Sequence, residues 1–139
     1  MGPMIMPVLA VRDLESSLPF YRDQLGFQVP MVMPDAAGAP RFAVAQWGEG
    51  VSVGLSAQET EGAKGTGVIF MVYVPDGTEI DAYYVEVQER GVAIHEEISD
   101  SYWGDRCFSV IDPDGYVLMI CQTKTEMTYD EIVSSGTPA

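Results

Sequence analysis

An internal repeat is the feature of this sequence that most limits its fold. Four pairs of equivalent residues define it: Asp13 and Asp76, Tyr21 and Tyr84, Gly26 and Gly91, and Gly50 and Gly115. The offset is 63 residues for the first two pairs and 65 for the last two. A chain of 139 residues with one such repeat is predicted to be two copies of one supersecondary unit.

Each copy begins with an apolar stretch, followed by apolar residues at helical spacing. Asp13 and Asp76 precede these helical segments and are predicted to be their N-caps. Gly26 and Gly91 follow them, where a left-handed residue favours the end of a helix. Pro19 lies inside the first segment and predicts a kinked or late-starting helix.

The remaining apolar runs predict three more strands in each copy. The predicted strands are 4–11, 27–33, 41–47 and 51–56 in the first copy, and 67–74, 92–98, 107–112 and 116–123 in the second. Each copy is therefore a βαβββ module, and the fold class is α+β. We expect a single domain over 1–139, with module 1 at about 4–57, a linker at 58–66, module 2 at about 67–123 and a tail at 124–139. A short helix is expected at 129–133.

The charge balance disfavours two classes of partner. Twenty-one acidic and seven basic residues give a net charge of −14, which disfavours nucleic acid and anionic membranes. The same field attracts cations, although solubility alone accounts for an acidic surface. The apolar start has no basic flank or cleavage pattern, and Cys107 and Cys121 do not suggest a disulfide framework, so a cytoplasmic protein is expected.

Three segments carry a resemblance to a known family. They are the Val-x-Asp run of Val11–Asp23, Trp103-Gly104-Asp105-Arg106, and Asp112-Pro113-Asp114-Gly115. Together with the repeat they resemble the vicinal oxygen chelate superfamily, which includes glyoxalase I, extradiol dioxygenases and bleomycin resistance proteins. The resemblance spans 5–122. It implies curved mixed sheets around a small-molecule cavity, helices on the outer face, and a homodimer.

Enzymes of that superfamily hold a metal ion with one residue from the first and last strand of each module. The resemblance places these positions at Met6 and Ile69 in the first strands, and at Gly54 and Met119 in the last strands. None of the four offers an imidazole or carboxylate donor, the ligands that catalytic divalent metals require. We therefore expect no metal and no cofactor there.

Strand alternation then predicts which residues face the cavity, because residues two apart share a face. If the four family positions face inward, so do Met4, Val8, Ser52, Ser56, Met71, Tyr73, Val117 and Cys121. The opposite face is expected to pack under the helices and comprises Leu9, Val53, Leu55, Phe70, Val72, Leu118 and Ile120. An apolar, methionine-rich pocket suits an adaptable ligand site. The alternative is that the same residues fill a closed core.

The segment around Trp103 is the second candidate region. The segment resembles one near the ligand crevice of bleomycin resistance proteins, which implies that Tyr102 and Trp103 stack on a planar ligand, with Asp100 or Asp105 meeting a cationic group. The alternative is a tryptophan that packs on its own subunit or on a dimer partner.

Four further residues allow more than one interpretation. Arg106 either orients an acidic substrate or pairs structurally with nearby acids, and Trp47 fits either sheet face. His95 and Cys121 are interpreted as structural rather than catalytic residues, because no partner for chemistry is evident in the sequence.

Three function classes remain. The first, which we favour, is a metal-independent protein that binds a small, cationic, aromatic compound such as an antibiotic. Its predicted ligand-binding residues are Met6, Ser52, Gly54, Ile69, Met71, Tyr73, Tyr102, Trp103, Met119 and Cys121. The second is a lyase or isomerase with a relocated or metal-free active site that uses Tyr73, Cys121 or His95. The third is a scaffold whose cavity is vestigial.

Overall fold

The computed structural model describes residues 6–58 and 65–136. Eight strands are present in this part of the chain: β1 Val8–Val11, β2 Gln28–Pro34, β3 Pro40–Trp47, β4 Val51–Ala57, β5 Ile69–Tyr73, β6 Ile94–Asp100, β7 Asp105–Ile111 and β8 Val117–Thr123. The helices are α1 Leu14–Leu18, continued by a π-helical segment Pro19–Gln24, then α2 Ile80–Glu89 and α3 Tyr129–Gly136. Met4 and residues 59–64 of the predicted linker lie outside the described residues.

The strands form two four-stranded sheets with the same topology. Their orders are β1-β4-β3-β2 and β5-β8-β7-β6. In each sheet the first and last strands of the module pair in parallel, and the other pairs are antiparallel. This arrangement confirms the α+β class and the tandem βαβββ modules with mixed sheets.

The first helix starts where its cap predicts. The Asp13 carboxylate accepts a hydrogen bond from the Ser16 N–H at 2.8 Å, and α1 begins at Leu14, directly after Asp13. Of the two alternatives predicted from Pro19, a kink or a late start, the late start is therefore wrong. Pro19 has no N–H to donate, and the chain continues from it in wider π-helical turns, in which the Leu25 N–H donates to the Phe20 carbonyl at 2.9 Å.

The second helix has a different cap from the one predicted. A turn follows Pro75, in which the Thr78 N–H donates to the Pro75 carbonyl at 3.0 Å. This turn delays the helix, and Glu79 instead of Asp76 becomes the N-cap, accepting from the Ala82 N–H at 3.1 Å.

Two strand boundaries differ from prediction in ways that affect the site. β1 begins at Val8, so Met6 precedes the strand instead of lying inside it. β7 begins at Asp105, two residues earlier than expected, because the Ser101 N–H donates to the Asp105 carbonyl at 2.7 Å and extends the hairpin with β6.

One core joins the two modules. Of the residues predicted to pack under the helices, Phe70 is partly buried at the edge of this core. The others are buried in it, namely Leu9, Val53, Leu55, Val72, Leu118 and Ile120. Trp47 of module 1 contacts Tyr83 of α2, with ring centroids 4.8 Å apart. The Tyr83 hydroxyl donates to the Leu25 carbonyl at 2.6 Å. The helix-covered faces of both sheets therefore share a single interior.

The opposite faces of the sheets are uncovered. Ile69 is 62% exposed, Val8 51%, Met71 48% and Tyr73 44%. These side chains therefore do not fill a closed core within one chain.

None of the helices in the described ranges has the length and apolarity needed to cross a bilayer.

Candidate ligand-binding site

A cavity of about 280 Å³ lies on the uncovered face of module 2. It is lined by Glu96, Glu97, Ser99, Asp100, Ser101, Tyr102, Trp103, Cys107, Phe108, Ser109 and Met119. Tyr102, Trp103 and Met119 of the predicted ligand-binding set are among these residues. The two aromatic rings meet edge to face, with centroids 5.1 Å apart.

The loop that carries the two aromatic residues is fixed at both ends. The Ser101 hydroxyl donates to the Asp105 carbonyl at 2.8 Å. The Gly104 carbonyl accepts from the N–H groups of Lys124 and Thr125 at 2.9 and 3.0 Å. Gly104 has φ +96, and a side chain there would collide with the Thr125 carbonyl, so only glycine fits this close approach.

A buried carboxylate positions Trp103. The Asp105 side chain accepts from the Trp103 indole N–H at 2.8 Å and from the Tyr73 hydroxyl at 2.6 Å, both at Oδ2. Asp105 is only 4% exposed. The expectation that Asp105 meets a cationic ligand directly is therefore not supported, because this carboxylate is occupied in holding two aromatic side chains.

Arg106 pairs with acids of its own chain. Its guanidinium lies 3.0 Å from carboxylate oxygens of both Asp81 and Asp100. This supports the structural interpretation of Arg106, and it shows that Asp100 is partly neutralised at the rim of the cavity.

Two further acids at the cavity were missed in the sequence analysis. Glu96 and Glu97 on β6 line the cavity, and Glu96 accepts from the Ser109 hydroxyl at 3.0 Å. The pairing of β6 with β7 shifts register between Ile94 and Ser99. Simple alternation does not apply across such bulges, so no sequence signal assigned these two side chains to a face.

The phenol and thiols near Asp105 are held in their neutral forms. The hydrogen bond to Asp105, assisted by burial, raises the pKa of Tyr73. Burial raises the pKa of Cys107, and burial together with the neighbouring thiol of Cys107 raises the pKa of Cys121. Neutral phenol and thiol groups are poor bases and nucleophiles.

A second cavity, of about 560 Å³, lies where the β3–β4 turn approaches the end of β5. It is lined by residues 47–51, Met71, Tyr73 and residues 74–76. Tyr73 therefore borders this cavity and also hydrogen-bonds Asp105.

The remaining predicted residues are dispersed. Met6, Ser52, Gly54 and Ile69 line neither of these two cavities. Cys121 is fully buried behind Cys107, with 3.3 Å between the two sulfur atoms.

On the face of module 1 that the helices leave uncovered, no space remains above Gly54. A Cβ on Gly54 would come within 3.1 Å of both the Phe42 ring and the Val8 side chain. Gly54 therefore has no donor side chain and no room for one. Of the other family positions, Ile69 offers no donor, and Met6 and Met119 offer only a thioether.

Trp47 and His95 lie away from the aromatic loop. Trp47 is buried and stacks on Phe27, with centroids 5.1 Å apart, which decides its face in favour of the core. His95 is exposed on β6 and lines neither cavity.

One group among the described residues has the composition of a metal site. Asp105, Cys107 and Cys121 each place one ligand atom within 4.8 Å of the others. These residues were not grouped by the sequence analysis, because Cys107 and Cys121 become neighbours only through the β7–β8 register.

Several solved structures share this fold. An antibiotic binding protein from Streptomyces sp. CB03234, TnmS3, is 24% identical with a TM-score of 0.65, covering 88% of this chain and 98% of its own. A glyoxalase/bleomycin resistance protein/dioxygenase from Nocardioides is 25% identical with a TM-score of 0.65, covering 93% and 89%. A protein of the same description from Alicyclobacillus acidocaldarius is 18% identical with a TM-score of 0.69, covering 89% and 93%. Among functionally curated proteins, none matches the sequence.

The family model for these proteins matches residues 4–120, most of the chain. It covers both modules, including the Trp103 loop and the Asp112–Gly115 turn. The chain belongs to the glyoxalase/bleomycin resistance protein/dioxygenase superfamily.

Proposed function

We propose that this protein binds a small, planar, cationic compound of the antibiotic type and sequesters it without using a metal at the family position. The observation that carries the proposal is the cavity of module 2, which combines the aromatic pair Tyr102 and Trp103 with the acids Glu96 and Glu97. Aromatic faces bind planar and cationic groups, and carboxylates at the rim favour a positive charge.

The rigidity of the site supports binding as its role. Trp103 is held by the buried Asp105 carboxylate, and its loop is fixed to the chain after β8. A ligand that stacks on an aromatic ring already held in place loses less side-chain entropy on binding. The net charge of −14 adds long-range attraction for a cation.

The likeness to TnmS3, an antibiotic binding protein, supports the same class of ligand. The family positions Met6, Gly54, Ile69 and Met119 have no imidazole or carboxylate donor, which favours binding over the metal chemistry of the superfamily's enzymes. The neutral Tyr73 and Cys121 side chains do not favour a relocated active site.

We also propose that the working form is a homodimer. One chain encloses only about 280 Å³ at the aromatic loop, near the lower limit of pockets for drug-sized ligands, roughly 300 Å³. The exposed faces around Ile69 and Met71 leave apolar surface that a second copy would cover. Light scattering after size exclusion measures the mass and distinguishes a dimer from a monomer.

The cytoplasm is the proposed location. The two cysteines of the sequence do not suggest the disulfide framework that is typical of small secreted domains.

The test of ligand binding is a thermal-shift titration. Bleomycin and the planar amine daunorubicin are titrated at low and at high salt, because a ligand that binds only the folded state raises Tm with its concentration. We expect a shift that high salt weakens and that Trp103→Ala removes. Tyr129→Ala, which deletes an aromatic ring that is 80% exposed outside the cavity, is the matched control. A shift of equal size in both variants would contradict binding at the aromatic loop, and no shift with either compound would contradict the proposed ligand class.

A further inference from the structure

The cluster behind the aromatic loop is chemically unlike the rest of the uncovered face. Cys107 on β7 and Cys121 on β8 are direct partners across the antiparallel pair, and their sulfur atoms are 3.3 Å apart. Asp105 is two residues before Cys107 on the same strand and therefore on the same face. All three side chains are buried.

We propose that Asp105, Cys107 and Cys121 form a binding site for a thiophilic divalent d10 metal ion, of which Zn²⁺ is the biological example. Two thiolates and one carboxylate are a donor set that such ions accept, and hard ions such as Mg²⁺ avoid sulfur. The site differs from the superfamily's usual metal position, since it uses no residue of β5, and its β8 ligand, Cys121, lies two residues beyond Met119.

The distances are close to those of a bound state. The three ligand atoms lie within 4.8 Å of one another. Two sulfur atoms on one tetrahedral zinc ion are about 3.8 Å apart, because each Zn–S bond is about 2.3 Å. The sulfur atoms would need to separate by about half an ångström and the carboxylate to move inward, which small side-chain rotations achieve.

The carboxylate is also oriented as a ligand would be. Tyr73 and Trp103 both donate to Oδ2 of Asp105, and no described residue donates to Oδ1. Hydrogen bonds to one oxygen that leave the other free are the usual outer support of a metal-bound carboxylate. Cys107 lines the 280 Å³ cavity, which gives an ion a path from solvent.

Binding would release protons in a defined way. Each thiol loses its proton to solvent, the sulfur atoms bind the ion as thiolates, and no electron is transferred. The ion supplies the positive charge that two buried thiolates lack in its absence.

The test uses the whole protein, kept reduced with a phosphine, and Cd²⁺ as a spectroscopic probe. Thiolate-to-cadmium charge-transfer absorption in the ultraviolet is expected to rise and saturate at one ion per chain. Zn²⁺ should displace the signal, and a large excess of Mg²⁺ should not. The proposal is overturned if the reduced protein gives no charge-transfer band, or if Mg²⁺ removes it.

Variants assign the ligands. Cys107→Ser and Cys121→Ser should each abolish the band, whereas Glu15→Gln, at an exposed acid on α1, should leave it unchanged. Tyr73→Phe keeps the ring and removes only the hydrogen bond to Asp105, so the affinity should fall by roughly 10- to 100-fold. If Tyr73→Phe binds Cd²⁺ with unaltered affinity and its far-ultraviolet circular dichroism is unchanged, Asp105 is not a metal ligand that the Tyr73 hydrogen bond orients.

Discussion

The uncovered faces of the two sheets have the same backbone pattern and different chemistry. Three pairs of positions are equivalent by strand register: Ala10 and Tyr73, Phe42 and Cys107, and Ser56 and Cys121. In module 1 the Phe42 ring packs over Gly54 and closes the face. In module 2 the smaller Cys107 leaves room for a cavity, and Tyr73 brings a hydroxyl to a buried acid.

The difference shows how a duplicated fold separates two tasks. Both modules contribute residues at equivalent helix-facing positions to the shared core, so their stability depends on a common interior. The uncovered faces are free of that requirement, and in the part of the chain that the structure describes the 280 Å³ cavity with its polar and aromatic lining lies on the face of module 2. The proposed function therefore depends on side chains of one face instead of on the fold.

The strongest way to break the comparison is to remove Trp103. Trp103→Ala is expected to lower affinity for a bound planar cation by about 30-fold or more, the effect of deleting a central aromatic contact worth about 2 kcal/mol. Isothermal titration calorimetry measures it, with the compound that gives the larger thermal shift. Phe42→Leu, at the closed face of module 1, is the counterpart. If Phe42→Leu weakens binding as much as Trp103→Ala, the two faces are not functionally distinct.

The equivalent tyrosines Tyr21 and Tyr84 test the two modules for stability. The Tyr21 hydroxyl donates to the buried Asp112 carboxylate at 2.8 Å, while no described residue hydrogen-bonds the hydroxyl of Tyr84. Tyr21→Phe is expected to lower the free energy of unfolding by about 1–3 kcal/mol, because it leaves a buried oxygen without its donor. Tyr84→Phe should change it by less than about 0.5 kcal/mol. Urea unfolding of both variants measures the difference, and equal effects would contradict the role given to Asp112.

A methyl group at Gly54 sharpens the account of the closed face. Gly54→Ala is expected to destabilise the protein by about 1 kcal/mol, because the new Cβ would crowd Phe42 and Val8 at 3.1 Å. Gly50→Ala is the matched control, since no described residue other than its chain neighbours comes within 4 Å of its added Cβ. Thermal unfolding compares the two, and a neutral Gly54→Ala would mean that the Phe42 ring moves aside freely.

The smallest expected effect concerns the cap of α2. Hydrogen bonds from Lys124 and from the Ala82 N–H lower the pKa of Glu79 to about 2. A lowered pKa in the folded state contributes stability above the unfolded value of about 4.5, and this contribution is lost as the pH falls towards 2. Glu79→Gln should therefore flatten the loss of stability between these pH values, as measured by urea unfolding at each pH. Asp76→Asn changes the cap that the repeat predicted, and its stability should depend on pH as that of the parent protein does. If Asp76→Asn flattens the loss of stability and Glu79→Gln does not, Asp76 is the cap.

The sequence was sufficient for the architecture because the repeat and its turn residues are local signals. Asp13, Gly26 and Gly91 act as predicted, and both predicted glycines have positive φ, at 84° and 90°. The assignment of strand faces was also correct for the residues under the helices. These predictions needed only periodicity and the capping preferences of single residues.

The site was only partly predictable because it depends on contacts between distant segments. Tyr102 and Trp103 were identified from their resemblance to a family segment, and the structure places both at a cavity. The link from Tyr73 to Asp105 spans 32 residues, and the contact of Cys107 with Cys121 depends on hairpin register. Neither contact follows from the side-chain alternation of one strand. The positions of Glu96 and Glu97 could not be predicted either, because the bulges of β6 interrupt that alternation.

The positions of Trp47 and Trp103 give the protein two optical reporters of different events. Trp47 is buried between Phe27 and Tyr83, so its fluorescence follows the integrity of the interior that joins the modules. Trp103 lies half-buried at the cavity with its indole N–H on a carboxylate, so its emission responds to an occupant. A Trp47→Phe chain would carry its single tryptophan at the site, so selective excitation of tryptophan would allow ligand screening without an external dye.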